Sequence, residues 1–307
     1  MIVDVDTRIW TRLEELGEEI AVSVRRLASA RWVQPDATAE AHGAASRPVD
    51  ASIVVGFRSE LLRGAVAEEA LRSVVGRSEG RVFLARAIDP LRPSAAGEVE
   101  SARREGVSAI WMDPATQGFN PSDTRAMRVF DRAEANQLPV LLGWTGPQPS
   151  SSRLEFARPF LLDEVARAFP RLSLVIGGFG APFVHETLAL LAKHDRVYTH
   201  TGGIAARPWE FLHALQMARD LCVDSRVLFA SGFPFDTPAR AIESIYGVNA
   251  MLQQSSLPRI SRAVLREIVE RDSIALLGLG AHPAPRDRAV SRSLASDEPL
   301  RLSGDVG

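Results

Sequence analysis

Short apolar runs recur along the chain, separated by polar turns and by amphipathic stretches long enough to form helices. Nearly all residues in these runs are aliphatic or β-branched, which is typical of parallel strands buried on both faces. Eight such runs with helices between them predict an α/β protein, a single (β/α)8 TIM barrel. The runs are residues 2–5, 52–57, 82–88, 109–112, 139–142, 172–176, 196–199 and 227–230.

The stretches between the strands carry helix signals. Apolar residues at steps of three and four predict one helix near the amino terminus, with the stripe Ile9, Leu13, Leu16, Ile20, Val24 and Leu27. Pro208 stands where a helix tolerates proline best, at its first turn. Residues 34–50 are rich in alanine, proline and small polar residues, and we interpret them as a loop that includes His42.

The composition is that of one large globular domain. The chain has 307 residues, of which 46% are hydrophobic and 24% charged, with a formal net charge of −2. This balance offers no field for nucleic acid or for anionic lipid, so we expect neither as a partner. We assign residues 1–282 to the barrel and expect residues 283–307, poor in large apolar side chains, to form a mobile tail.

The single cysteine and the amino-terminal residues indicate in which cellular compartment the protein is expected. Cys222 cannot form an intrachain disulfide, and its apolar neighbours predict an inert core thiol. No secretory signal is visible at the amino terminus, and no apolar run approaches the roughly 20 residues that cross a bilayer. We therefore expect a cytoplasmic protein without a membrane partner.

Four stretches in order along the chain carry a family resemblance. They are residues 157–170 (ARPFLLDEVARAFP), 206–211 (ARPWEF), 226–235 (RVLFASGFPF) and 271–279 (RDSIALLGL). Together they resemble the amidohydrolase-related family of metal-dependent hydrolases and decarboxylases. The resemblance covers about residues 1–280 and implies a TIM barrel with a metal held at the carboxyl ends of the strands.

The residues that would hold this metal differ from the family pattern. The His-x-His motif of the first strand corresponds to Asp6-Thr7-Arg8, and an arginine offers only donors and cannot ligate a metal. The histidine positions of the fifth and sixth strands correspond to Gly143 and Gly178, and the aspartate of the eighth strand to Gly232. The sequence therefore predicts a barrel that binds no metal and no other cofactor.

Other polar residues remain at the predicted strand ends. The candidate catalytic residues are Asp6, Arg8, Asp113 and His200. Asp6, Arg8 and Asp113 could form a structural ion pair that replaces the charge of the metal. Alternatively, Arg8 could bind a substrate carboxylate while one of the two aspartates carries a proton. His200 could be a general acid or base, or a core histidine with satisfied hydrogen bonds.

The sequence also predicts a small-molecule binding site at the mouth of the barrel. We expect the three glycines to enlarge the mouth and the tryptophans to form an aromatic wall. The candidate binding residues are Trp111, Trp144, Arg58, Gly143, Gly178 and Gly232. Arg86, Asp89 and Arg207 are weaker candidates at strand ends.

Two functions are compatible with these residues. One is a metal-independent lyase, isomerase, cyclase or hydrolase that acts by acid/base chemistry on a small carboxylated or aromatic molecule. The other is a non-catalytic barrel that binds a ligand or serves as a partner subunit. The resemblance implies a homodimer, and the second function adds pairing with a related barrel.

Overall fold

A computed structural model of the chain describes residues 1–31, 35–253 and 256–279. Eight parallel strands follow one another around a barrel in the order in which they occur along the chain. This confirms the predicted TIM barrel. The barrel strands are β1 (Val3–Thr7), β2 (Ala51–Val55), β5 (Val82–Ala87), β6 (Ala109–Met112), β7 (Val140–Leu142), β8 (Leu174–Ile176), β9 (Val197–His200) and β10 (Val227–Leu228).

The segment that follows β10 connects the last strand of the barrel to the first. The amide of Val5 donates to the carbonyl of Phe229 at 3.1 Å, and the amide of Arg8 donates to that of Phe233 at 2.9 Å. Between these bonds the amide of Gly232 donates to the carbonyl of Asp6 at 3.1 Å. These bonds hold the end of β1 beside the segment that follows β10.

Helices surround the strands and bury their apolar faces against them. Pro208 begins its helix, as predicted. The bounds are α1 (Glu18–Arg31), α2 (Ala39–Ala45), α3 (Glu68–Gly76), α4 (Ala95–Ala102), α5 (Pro114–Gln117), α6 (Thr124–Ala135), α7 (Asp163–Ala168), α8 (Val184–Lys193), α9 (Pro208–Asp220), α10 (Pro238–Tyr246), α11 (Arg262–Val269) and α12 (Ser273–Leu277).

The prediction of an unbroken loop over residues 34–50 is wrong. Helix α2 forms there because Thr38 caps it, accepting a hydrogen bond from the amide of Ala41, and because alanine favours the helical conformation. His42 is therefore a buried helical residue. The first apolar stripe is also divided: Gly17, with φ of 91°, separates a 3-10 turn at Leu13–Leu16 from α1.

Two further differences concern smaller features. A short antiparallel hairpin of β3 (Arg58–Ser59) and β4 (Gly64–Ala65) follows β2 and has no periodic signal in the sequence. Cys222 is exposed at the end of α9, so the prediction of a core thiol is wrong. The expected tail at residues 283–307 lies outside the described residues. Within the described ranges no helix has both the length and the apolarity to cross a bilayer.

Candidate active site

The end of β1 places an arginine in the centre of the mouth. Arg8 Nη2 lies 3.3 Å from Asp6 Oδ1, and both side chains are almost fully buried. The Arg8 guanidinium also donates to two backbone carbonyls, that of Gly56 at 3.3 Å and that of Gly143 at 3.4 Å. These contacts lie at the ends of β1, β2 and β7, so Arg8 links residues on opposite sides of the mouth.

Two tryptophans contact the same guanidinium. The Arg8 Cζ atom lies 4.7 Å from the ring centroid of Trp111 and 4.9 Å from that of Trp144, distances at which a cation attracts an aromatic face. Trp111 Nε1 donates to the carbonyl of Gly143 at 2.9 Å. Phe57 packs against both tryptophans, with centroid separations of 5.5 and 5.4 Å. The Arg8 guanidinium therefore lies against two aromatic faces.

Burial and neighbouring charge act in opposite directions on Arg8. Burial lowers the pKa of Arg8, while the carboxylates of Asp6 and Asp113 raise it. Its Nε atom is buried and has no hydrogen-bond partner among the described residues. Arg8 is thus held by its ion pair, two carbonyls and two aromatic faces.

His200 and Asp6 face each other across the mouth. His200 Nε2 lies 4.0 Å from Asp6 Oδ2, which accepts a hydrogen bond from Thr145 Oγ1 at 2.9 Å. His200 Nδ1 accepts from the amides of Gly202 at 3.1 Å and Gly178 at 3.4 Å. Because Nδ1 is an acceptor, the neutral ring carries its proton on Nε2. Burial lowers the pKa of His200 and favours this neutral form.

Asp113 follows β6 and caps the short helix α5. Its Oδ2 accepts from the amide of Thr116 at 3.0 Å and from the Thr116 hydroxyl at 2.5 Å. Burial raises the pKa of Asp113, against the hydrogen bonds from Thr116 and the charge of Arg8. In the described part of the chain Arg8 forms its ion pair with Asp6 and none with Asp113.

The three glycines that the sequence analysis placed at the mouth do not open it as a group. Gly178 and Gly232 have φ of 55° and 73°, and a Cβ atom would lie 2.8 Å from the Gly202 carbonyl oxygen and 3.1 Å from the Gly203 amide nitrogen. The expected enlargement is therefore wrong at these two positions, because neighbouring backbone fills the space. Gly143 differs, since its nearest neighbour, the Gly177 amide, would be 3.7 Å from a Cβ atom.

A narrow pocket of about 70 Å³ remains beside Gly143 at the mouth. Its lining includes Asp113, Gly143, Trp144, Phe156, Arg158 and Gly177. Gly177 separates this pocket from His200: a Cβ atom there would lie 3.3 Å from His200 Nε2. Arg158 was not a predicted site residue, although it lies in one of the stretches that carry the family resemblance. Half of its side chain is exposed, and it pairs with Glu186.

The remaining candidates lie elsewhere in the structure. Arg58 Nη1 donates to Glu98 Oε2 at 3.1 Å, and Arg86 is paired with Glu68 and Glu105. Asp89 accepts from the amides of Glu60 and Leu91, and Arg207 is exposed and paired with Glu210. None of these four side chains is among those that line the mouth pocket.

These residues do not fit the metal that the family resemblance implies. At the mouth, the end of β1 offers the Asp6 carboxylate and the Arg8 guanidinium, and Gly143, Gly178 and Gly232 offer no side chain. Across the described ranges, no group of three or more histidine, cysteine, aspartate or glutamate residues is arranged to hold a metal ion. The positively charged group beside Asp6 is the Arg8 guanidinium.

Asp4 lies below the mouth on the same strand and is fully buried. It accepts hydrogen bonds from the amide and the hydroxyl of Ser231, at 3.0 and 2.6 Å. Burial nonetheless raises the pKa of Asp4 to about 7. The folded state therefore holds this proton more tightly than the unfolded chain does.

The raised pKa of Asp4 predicts a pH-dependent stability. Its contribution is fully present below the unfolded pKa near 4 and is lost as the pH rises through about 7. We expect urea unfolding of D4N to show a loss of stability between pH 5 and pH 8 that is smaller, by about 3 kcal/mol, than that of the unaltered protein. Equal pH dependence of the two proteins would contradict this assignment.

Comparison with known proteins defines the class. The sequence profile of the amidohydrolase family matches residues 3–279, so the chain belongs to this family. No curated protein sequence matches the chain.

Solved structures agree with this fold. A TIM-barrel protein from Bordetella bronchiseptica is similar with a TM-score of 0.65 at 19% identity, covering 91% of this chain and 98% of the other. A probable 2-pyrone-4,6-dicarboxylic acid hydrolase from Acinetobacter baumannii, with citric acid bound, gives 0.63 at 13% identity, covering 90% and 99%. The 5-carboxyvanillate decarboxylase of Sphingomonas paucimobilis gives 0.61 at 14% identity, covering 91% and 99%.

Proposed function

We propose that this chain is a metal-independent enzyme of the amidohydrolase family that acts on a small aromatic carboxylate by acid/base chemistry. The observation that carries the proposal is the mouth pocket, where an aromatic surface, a guanidinium and a buried carboxyl group meet. The position also fits, because TIM-barrel active sites lie at the carboxyl ends of the strands.

Each side of the pocket has a distinct role in this proposal. Trp144 and Phe156 offer apolar surface to a flat ring. Arg158 is half exposed and donates to Glu186 through Nε and Nη2, so its Nη1 is the nitrogen that it offers to a substrate carboxylate. Asp113 is the proton carrier, because burial raises its pKa and lets it keep a proton at higher pH than an exposed carboxyl group. Arg8 supports this wall through the Trp144 ring.

The structural neighbours support the substrate class. Their names give 2-pyrone-4,6-dicarboxylic acid and 5-carboxyvanillate as the molecules on which they act, and both are rings that carry carboxylates. A pocket with an aromatic wall and a guanidinium suits the same chemistry. In our proposal the reaction of this chain proceeds without a metal, since other residues stand where the family pattern has metal ligands.

A binding and turnover assay after chelation tests the proposal. The purified protein, treated with EDTA and checked by elemental analysis, is titrated with benzoates that carry hydroxyl or second carboxylate groups, and product formation is followed by chromatography. We expect at least one of these acids to bind and turn over with metal absent. Arg158→Gln should weaken its binding about tenfold, which is 1.4 kcal/mol.

The matched control removes an arginine of the same segment that points elsewhere. Arg167, exposed and paired with Asp163 on α7, serves for this, and R167Q should bind as the unaltered protein does. Stoichiometric zinc or manganese whose removal abolishes turnover would overturn the metal-independent reaction. If R158Q bound the acid as tightly as the unaltered protein does, the mouth pocket would not be the substrate-binding site.

A second function is favoured by one specific observation. Asp6, Arg8 and His200 are each less than 5% exposed, and each is engaged with its neighbours. A non-catalytic barrel that binds a ligand, or that pairs with a related barrel, needs this core only for stability. Binding of an aromatic carboxylate without turnover, together with co-purification of a homologous barrel, would favour this alternative.

A further inference from the structure

A larger pocket of about 390 Å³ lies on the opposite side of the barrel from the mouth. It opens between α2 and α3, above the first residues of β2 and β5, where Ala51, Ser52 and Val82 line it. These are the amino-terminal ends of the strands, so the pocket is separate from the site described above. Its volume is in the range of small-molecule sites.

Three arginines surround this pocket. Arg47, Arg77 and Arg81 all line it and are exposed, and among the described residues none of them forms an ion pair. Arg77 uses its Nε to donate to the Ser73 carbonyl at 3.1 Å, which fixes the side chain and leaves its terminal nitrogens available. Three unpaired guanidinium groups around one cavity attract an anion.

Two carboxylates also line the pocket and partly offset the positive charge of the three arginines. Glu40 lies on α2, and Asp50 precedes β2. Asp50 is engaged, because its Oδ2 accepts from the amide of Ile2 at 2.7 Å. The three guanidinium groups therefore outnumber the carboxylates around the cavity.

A buried histidine supplies a second, independent observation. His42 lines the pocket and is 1% exposed, and its Nδ1 has no hydrogen-bond partner among the described residues. Its Nε2 lies 3.0 Å from Thr7 Oγ1, and that hydroxyl donates to the Ile53 carbonyl at 2.8 Å. Since the threonine proton is committed, Nε2 donates to Thr7 and Nδ1 presents a lone pair. A buried lone pair without a donor is costly unless a ligand supplies one.

We propose that this pocket binds a small phosphorylated polyol. The arginines take the phosphate group, and a ligand hydroxyl donates to His42 Nδ1. Ser46 Oγ lies 3.4 Å from His42 Nε2 in the same lining, whereas Ser78 Oγ already bonds to the Val75 carbonyl and the Val82 amide. A bare anion would satisfy the arginines and leave the histidine unpaired. A neutral polyol would do the reverse. We therefore expect a ligand that carries both groups on one molecule.

Isothermal titration calorimetry of the full chain with glycerol 3-phosphate tests this proposal. We expect saturable binding with a Kd below about 1 mM, and binding at least tenfold weaker for propyl phosphate, which lacks the hydroxyl groups. Glycerol and inorganic phosphate should each bind more weakly than glycerol 3-phosphate. Glycerate, which carries a carboxylate in place of the phosphate, separates the two kinds of anion, and tighter binding of glycerate would overturn the phosphate assignment.

Variants locate the binding. R77Q and R81Q should each weaken glycerol 3-phosphate binding about tenfold. H42Q keeps an amide donor near Thr7 but removes the Nδ1 acceptor, so it should weaken glycerol 3-phosphate and leave propyl phosphate unchanged. R104Q, an exposed arginine outside this pocket, is the control. Absence of saturable binding, or binding that R77Q and R81Q do not change, would overturn the site whatever the activity at the mouth.

Discussion

Replacing Arg8 with alanine should lower the free energy of unfolding by about 3–5 kcal/mol, the range for breaking a buried ion pair by removing one partner. The change leaves Asp6 buried without its cation, and it leaves two carbonyls without a donor. It also removes the group that both tryptophans face. Urea unfolding at pH 7, followed by tryptophan fluorescence, measures this difference.

A double variant separates lost charge balance from lost packing. R8M keeps an apolar side chain of similar length between the tryptophans but leaves the Asp6 carboxylate unpaired. Adding Asp6→Asn removes the remaining charge, so D6N/R8M should recover a large part of the stability that R8M loses. A loss below about 1 kcal/mol for R8A would show that Arg8 does not hold the mouth together.

Asp113→Asn should lower kcat for the aromatic carboxylate that the screen identifies by about 100-fold, at the lower end of what general acid–base groups contribute. The asparagine oxygen can still accept from Thr116 and cap α5, so the fold is preserved while the transferable proton is lost. Initial rates and KM across pH 5–9 provide the measurement. KM should change little, because binding rests on Arg158 and the aromatic wall.

The pH profile distinguishes proton transfer from a structural role. With a raised pKa, Asp113 should give the unaltered enzyme a limb above the ordinary carboxyl range, and D113N should lack that limb. Thermal unfolding of D113N serves as the control and should match that of the unaltered protein within a few degrees. Full activity with an unchanged profile would exclude Asp113 as the proton carrier.

The fold could be predicted from the sequence because the strands are nearly uninterrupted apolar runs. Parallel strands buried on both faces leave this signal whatever their neighbours are, and all eight were found. Helix α2 was missed because proline and small residues around it resemble a loop, whereas its stability comes from the Thr38 cap and from burial of His42. The cap is local, but the burial depends on a strand 35 residues away.

The site was only partly predictable for a related reason. Alternation along β1 correctly brought Asp6 and Arg8 to the mouth, since that rule is local. Whether the space beside a glycine stays open depends on residues distant in the sequence. At Gly178 and Gly232 this space is filled by Gly202 and Gly203, which belong to another loop. Arg158 was missed because it reaches the pocket from a long connection after β7, where no periodicity constrains side-chain direction.

The left-handed backbone at three glycines of the mouth has a consequence for protein design. Gly143, Gly178 and Gly232 have φ of 107°, 55° and 73°, in the region that favours glycine over residues with a side chain. A histidine or aspartate introduced at one of them would have to adopt this backbone, while a histidine in place of Arg8 would remove the cation that pairs with Asp6. A metal site designed at this mouth would therefore need several substitutions made together.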